Sequence, residues 1–375
     1  MGRCLMMLLF MLTSIAALSQ EAYSVFTEAD STLTFFYDNE RSSRSDTSYS
    51  LNAAGTLPTW IENCGKVTRV VFDSTFVAAR PTSTSHWFGG MARLGNIVGI
   101  KYLKTDSVTD MSSMFSYCSA LATLDLSGFN TSKVTHMISM FNNCISLDSL
   151  DLSGFNTTNV TNMAGMFKDC ISLDSLDLSG FSTLNVIEML NLFENCSHLK
   201  SLNLSGFNTS NVTNMEAMFK NCKSLISIDL THFNTTKVND MAEMFVDCRL
   251  LKTIYAGKGW STDLVANSTN MFYGCTNLVG EQGTKYDRRH VDAAYAHIDE
   301  GISNPGYLSR KREAYAMLSD GETTLVFYYD DERSIRPSAT TYLLNTGTTA
   351  PGWSEYAQGI TQVAFDSAFV AARPT

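Results

Sequence analysis

From residue 115 onward the chain restates itself at a fixed interval: Phe115, Phe141, Phe167, Phe193, Phe219 and Phe245 stand 26 residues apart, and Phe272 follows at 27. Cysteine keeps the same step at Cys118, Cys144, Cys170, Cys196, Cys222, Cys248 and Cys275. Leucine does so at Leu121, Leu147, Leu173, Leu199, Leu225, Leu251 and Leu278. A period of roughly 20 to 30 residues is that of a solenoid, in which each unit is one coil stacked on the last. The apolar side chains of a single unit cannot offset the entropy lost in ordering it, so every coil has to be covered by its neighbours.

Within one unit, Val160, Met163, Met166, Phe167 and Cys170 form an apolar arc at helical spacing, which predicts a short helix with Thr157 or Thr158 as its hydroxyl cap. Beyond it, Leu176 and Leu178 alternate with Ser175, Asp177 and Ser179, the pattern of a short strand, and Gly180 permits a turn. A short strand plus a short helix on the pattern L-x-x-L-x-L is a leucine-rich repeat, with its strands parallel along one inner face. The expected fold is therefore an α/β solenoid of 26-residue units closed by a cap at each end. Val67, Val70 and Phe72, the aromatic pair Trp87-Phe88, and Leu94 with Ile97 read as an opening cap with degenerate coils, while residues 276–308 leave the pattern and close the other end.

A longer duplication overlies the short one. "EAYSVFTEADSTLTFFYDNER" at 21–41 returns as "EAYAMLSDGETTLVFYYDDER" at 313–333, and "FDSTFVAARPT" ending at Thr82 returns as "FDSAFVAARPT" ending at Thr375. The expected layout is a signal peptide at 1–19, an N-terminal flanking segment at 20–83, the solenoid at 84–275, a C-terminal cap at 276–310, and a second copy of the flanking segment at 311–375. On this reading the sequence stops where another solenoid begins, as part of a longer array. The signal is read from Arg3, the apolar run Leu5 to Leu18 and the small-residue site before Gln20. That run is too short to span a bilayer, so cleaved export is expected, with no membrane insertion of the mature chain and a secreted or cell-surface location.

Charge narrows the partners. Lys+Arg 27 against Asp+Glu 37 gives a formal net charge of −10, which leaves no basic footprint for phosphates and sets nucleic acid aside. The candidate binding surface is the set of strand side chains that face away from the core. One column is Thr123, Ser149, Ser175, Ser201, Ser227 and Thr253; the next is Asp125, Asp151, Asp177, Asn203, Asp229 and Tyr255; a third is Ser127, Ser153, Ser179, Ser205 and Thr231. Asp148 and Asp174 add charge to the early half, and Lys200 and Lys252 stand at the matching edge later. Such a strip suits basic or hydroxyl-rich partners, against the plainer account of a solvated, copied surface. At ~4.8 Å per coil it offers roughly 300 Å², below the ~800 Å² per partner of a standard interface, so one block binds weakly and several gain avidity.

The repeated cysteines read as buried thiols, because parallel side chains do not bring their β carbons to disulfide geometry and no C-x-x-C occurs. The methionines read as core. His290 and His297, near Asp292 and Asp299, read as capping-loop residues rather than metal ligands. No G-x-S-x-G, H-E-x-x-H or phosphate-cradling loop is present, so neither catalytic residues nor cofactors are expected, and the chain does not read as an enzyme.

The unit "MFKDCISLDSLDLSGFSTLNV", with "FNTSNVTNM" in the next copy, resembles the BspA-like leucine-rich-repeat surface proteins of bacteria, whose repeat also occurs in some protozoan surface proteins. The resemblance runs from about 84 to 280 and extends to the flanking "TLTFFYDNERSSR" and the closing "GTKYD" to "NPGYLS". It implies an exported surface protein of attachment, with extracellular-matrix or cell-surface proteins as partners and no catalysis. A structural spacer presenting another domain, or a glycan-binding module, are the alternatives. The fourth unit departs from the pattern, with Leu190-Asn191-Leu192 in place of Met and small residues and Ser182 where Asn130, Asn156, Asn208 and Asn234 stand, which breaks an expected asparagine ladder.

Overall fold

A computed structural model describes residues 19–53, 55–319, 321, 323–333, 336, 341–344 and 351–372. The signal-peptide reading lies outside these residues except for Ser19, and so do the last three residues of the second duplication.

The chain opens with a sheet of β1 (Glu21–Thr27), β2 (Thr32–Asp38), β3 (Thr47–Ser50), β4 (Arg69–Phe72) and β5 (Asn96–Val98), in the order β3-β1-β2-β4-β5. β1 lies antiparallel to β2 and β3, whereas β4 is parallel to β2 and β5 to β4. The sheet thus changes from hairpin pairing to the parallel pairing that a solenoid needs. Leu33 and Phe35 of β2 and Val70 and Phe72 of β4 are buried together with Trp60, Trp87 and Phe88.

From there the chain winds as stacked coils. Ser83, Asp110, His136, Asn162, Glu188, Asn214, Asp240 and Asn267 pair in parallel, each with the next. The stacked register places like residue over like: the rings of Phe115, Phe141, Phe167, Phe193, Phe219, Phe245 and Phe272 lie 5.5–5.8 Å apart and nearly parallel. One buried cluster runs from Phe26 to Leu308 without a break. At its far end Tyr307 meets Phe272 edge-on at 5.3 Å, the Phe272 N–H donates to the Val291 carbonyl, and the core is closed.

The expected helix is not formed; no α-helix occurs among the described residues. Around the arc Val160 to Cys170 the chain instead makes consecutive four-residue turns, Met163 to Met166 and Phe167 to Cys170. Gly165 and Asp169 are left-handed, at φ +59° and +60°. The N–H groups of Met166 and Cys170, which follow the left-handed residues, close the turns, whereas those of Met163, Gly165, Phe167 and Asp169 donate to the carbonyls of Glu188, Leu190, Leu192 and Glu194 of the next coil. A helix would satisfy these donors within the unit; here the neighbouring coil satisfies them. Apolar spacings of three and four residues fit both arrangements, which is why the sequence pattern did not separate them. Thr157 is likewise no helix cap: its hydroxyl donates to the Ser182 carbonyl and accepts from the Ser182 N–H, tying two coils together.

Later coils carry short parallel strands on the leucine side. β6 (Ser175–Asp177) pairs with β7 (Ser201–Asn203), and in a separate sheet β8 (Ser227–Leu230) pairs with β9 (Thr253–Ala256), which pairs in turn with β10 (Leu308–Ser309). The second duplication repeats the opening sheet: β11 (Glu313–Ser319), β12 (Thr324–Asp330), β13 (Thr341–Leu343) and β14 (Gln362–Phe365) take the order β13-β11-β12-β14, with a small buried cluster of Ala316, Leu318 and Leu325.

Candidate functional site

The strip of candidate residues owes its existence to the leucines beside it. In β6, Leu176 is buried and Ser175 and Asp177 are exposed, and the same alternation at 123–125, 149–151 and 201–203 turns the polar residues outward. Thr123, Asp125, Ser149, Asp151, Ser175, Asp177, Ser201, Asn203 and Ser227 are exposed; Asp229, Thr253 and Tyr255 are half-buried. All twelve lie where successive coils bring equivalent residues next to one another. Over the early half they border a shallow groove of about 590 Å³, with Leu124 and Leu150 between the polar side chains.

The expected strand is incomplete here. Thr123–Asp125 and Ser149–Asp151 form no strand, and β7 and β8 belong to different sheets. The glycines that follow show why. A Cβ on Gly206 would sit 2.2 Å from the Ser179 carbonyl oxygen, so that coil approaches its neighbour as only glycine allows, and β6 and β7 pair. One coil later the position is His232, and β7 and β8 do not pair. Gly154 and Gly180 have nothing within 4 Å of a Cβ, in keeping with the looser, unpaired spacing of the early strip.

The aspartates have a local task as well. Asp125, Asp151 and Asp177 each accept the backbone N–H two residues on, from Ser127, Ser153 and Ser179, at 3.0, 2.9 and 2.9 Å; Asn203 does the same for Ser205 at 3.2 Å. Each closes an Asx turn that bends the chain away from the strip. The bonds from Ser127 lower the pKa of Asp125, and the N–H groups of Ser153 and Ser179 do so for Asp151 and Asp177, so these three carboxylates are favoured in their ionised form. The asparagines prove to be turn-formers too: Asn130, Asn156, Asn208 and Asn234 accept from Ser132, Thr158, Ser210 and Thr236 within their own coils, and Asn130 reaches the preceding coil through an aspartate, Asp106, rather than another asparagine.

Asp229 shows what the outward oxygen can hold. Its Oδ1 closes the turn to Thr231, and its Oδ2 accepts from Lys311 Nζ at 2.7 Å, from the segment that leads into the second sheet. Burial opposes ionisation of Asp229, but the Lys311 and Thr231 bonds outweigh it and its pKa is lowered, while the bond to Asp229 raises that of Lys311. Along the neighbouring edge Lys200 Nζ reaches Asp174 at 2.6 Å, between two exposed side chains, a contact of small energetic weight.

The cysteine column does different work. Each thiol donates to the carbonyl of a phenylalanine in the preceding coil, from Cys118 to Phe88 at 3.2 Å through Cys275 to Phe245 at 3.0 Å. All described cysteines are free, and burial pushes the thiols of Cys144, Cys196 and Cys248 up to about 12. They are neutral packing groups that also satisfy a backbone acceptor. His290 stacks on Tyr295 at 4.4 Å, and Asp299 lies within the cap: burial opposes its ionisation, but bonds from Thr284, Gly301 and Gln282 hold its pKa at about 2. Among the described residues no three His, Cys, Asp or Glu side chains are grouped to hold a metal, and no helix is long and apolar enough to cross a membrane.

Sequence reasoning passed over the left-handed column. The residues just before each cysteine, Tyr117, Asn143, Asp169, Asn195, Asn221, Asp247 and Gly274, all have positive φ. Asn, Asp and Gly dominate this column because they tolerate that conformation best, and that bias was the readable signal against a helix.

Two overlapping stretches, residues 82–201 and 172–286, match the family described as "Mycoplasma protein of unknown function, DUF285". No curated protein matches the chain. Among solved structures, it is similar to a leucine-rich cell surface protein from Faecalibacterium prausnitzii, at 16% identity over 57% of this chain and 72% of that one, with a TM-score of 0.27. It is also similar to a leucine-rich repeat protein from Eubacterium ventriosum, at 15% identity over 76% of this chain and 98% of that one, with a TM-score of 0.21.

Proposed function

The chain belongs to this DUF285 family, and on that footing we propose that it is an exported, cell-surface solenoid of 26-residue leucine-rich units that mediates adhesion by binding proteins of the extracellular matrix or of other cells through its acidic strip. The layout carried forward is the solenoid at 84–275 with flanking sheets and a cap, and the binding residues are Asp125, Asp151, Asp177 and Asp229 with the hydroxyl column beside them. The observation that carries this reading is Lys311 seated on Asp229, which holds the lysine by the oxygen that its turn does not use. Partners rich in lysine or arginine can repeat that contact at Asp177, Asp151 and Asp125, one per coil. Charge of this kind sets association rate and salt dependence more than tightness, and weak single blocks gain from multiplicity.

The test compares the chain with a variant carrying Asp125→Asn, Asp151→Asn and Asp177→Asn on immobilised extracellular-matrix proteins at low and physiological salt. The natural Asn203 already closes the same turn, so the coils stay intact in the variant. Affinity about tenfold weaker and a flattened salt response are expected; binding equal to that of the parent would remove the strip from the function. The repeated capping sheet favours a spacer as the second reading, and silence of the parent chain toward every protein and glycan offered would decide for it.

A further inference from the structure

The two copies of the capping sheet are built alike but finished differently. In the first, Phe35 stacks on Phe72 at 4.8 Å and meets Trp60 at 5.4 Å and 90°. In the second, Phe327 stacks on Phe365 at 4.8 Å and meets Trp353 at 5.5 Å and 90°. The interior of the second sheet is therefore already set in the geometry of the first. The outer face is not. Val70 and Phe72 are 0% and 2% exposed, whereas their counterparts Val363 and Phe365 are 54% and 63% exposed.

What covers the first face is in plain view. Trp87 stacks on Phe35 at 5.1 Å, Phe88 meets Phe72 edge-on at 6.2 Å, the Trp60 indole donates to the Trp87 carbonyl at 2.8 Å, and β5 pairs in parallel with β4. All of these come from one coil, residues 83–98. Among the described residues β14 has no partner on its outer side.

We infer that the face around Phe365, with the open edge of β14, is a preformed docking seat for a solenoid coil of the kind formed by residues 83–98. The occupant presents an apolar aromatic pair to Phe327 and Phe365, a carbonyl to Trp353, and a short strand that extends the sheet in parallel beside Gln362–Phe365. Binding is by shape and apolar contact, with little reorganisation, because the rings that receive it are already in place. This inference stands apart from the acidic strip, and neither depends on the other.

The experiment uses the full chain and a second form extended after Thr375 by a copy of its own residues 83–310. Amide hydrogen exchange is followed in β12 and β14. The extended form should exchange at least tenfold more slowly there than the original. The protection should vanish when the appended copies of Trp87 and Phe88 are both changed to serine. Val363→Glu separates seating from folding: its side chain is exposed, so the original chain should keep its exchange pattern, yet the same change in the extended form should abolish the protection. Unchanged exchange on extension, or equal protection by the serine-substituted coil, would overturn the inference. Dimerisation of the original chain that Val363→Glu abolishes would overturn it as well, since the face would then be covered by another sheet.

Discussion

Each coil has two sides, and they are held differently. On the turn side the backbone is tied to the next coil at every second residue: Met111, Ser113, Phe115 and Tyr117 donate to His136, Ile138, Met140 and Asn142 at 2.7–3.0 Å, and the same four-bond rung recurs through the coil of Glu243. On the strip side, pairing comes and goes, present between β6 and β7 and between β8 and β9 and absent between β7 and β8. The turn side has left-handed residues that aim its N–H groups along the stack and buried Phe, Met and Cys columns that fix the spacing. The strip side is held by its leucines and by this intermittent pairing, and spends its aspartates on local turns. The unbroken hydrogen bonding lies on one side, and the other is left free to vary in charge.

The sharpest way to break this division is to remove a ring from the stacked column. Phe167→Ala should cost about 3–5 kcal/mol in urea unfolding, because a cavity opens between Phe141 and Phe193 and two coil interfaces lose contact. A strip leucine at the margin, such as the half-buried Leu150, should cost distinctly less when cut to alanine. Next in size is a pair of glycine substitutions. Gly206→Ala places a Cβ against the Ser179 carbonyl and should cost about 1–3 kcal/mol and unpair β6 from β7. Gly154→Ala, with open space around it, should stay within about 0.5 kcal/mol of the parent. Equal effects would show that the pairing gap has another origin.

Smaller still is the thiol. Cys170→Ala removes a bond to the Phe141 carbonyl and a little volume, for about 1 kcal/mol. In native thiol labelling, the half-buried Cys64 should react first and the seven buried cysteines only on unfolding. The least effect belongs to the strip carboxylates. Their folded pKa is depressed, so the stabilisation they give is fully present above the unfolded value and is lost as pH falls through the folded one. The acid limb of the stability curve should therefore begin below about pH 4, and Asp177→Asn should flatten its share of that limb while leaving neutral stability nearly unchanged. Movement of the limb toward neutral pH would contradict the turn assignment.

The columns were legible because side-chain chemistry sets them: phenylalanine, cysteine and leucine at one interval cannot all be buried unless coils stack, and alternating Ser-Leu-Asp-Leu cannot hide its polar members. The backbone conformation between Val160 and Cys170 was not, since its apolar spacing is common to a helical turn and to a run of tight turns. The residue before each cysteine would have decided it. The gaps in strand pairing were hidden for another reason. They go with how closely two backbones approach, as at Gly206, and that is a property of the assembled stack.

The rungs on the turn side have one further consequence. All of them lie along the stack and are made coil by coil, so a pull on the two ends loads them in series, and no rung shares its burden with the others. Freeing one coil releases 26 residues, roughly 85 Å of extended chain. A pull on the two ends should therefore lengthen the molecule in discrete steps, yielding a coil at a time where a rigid rod would not yield.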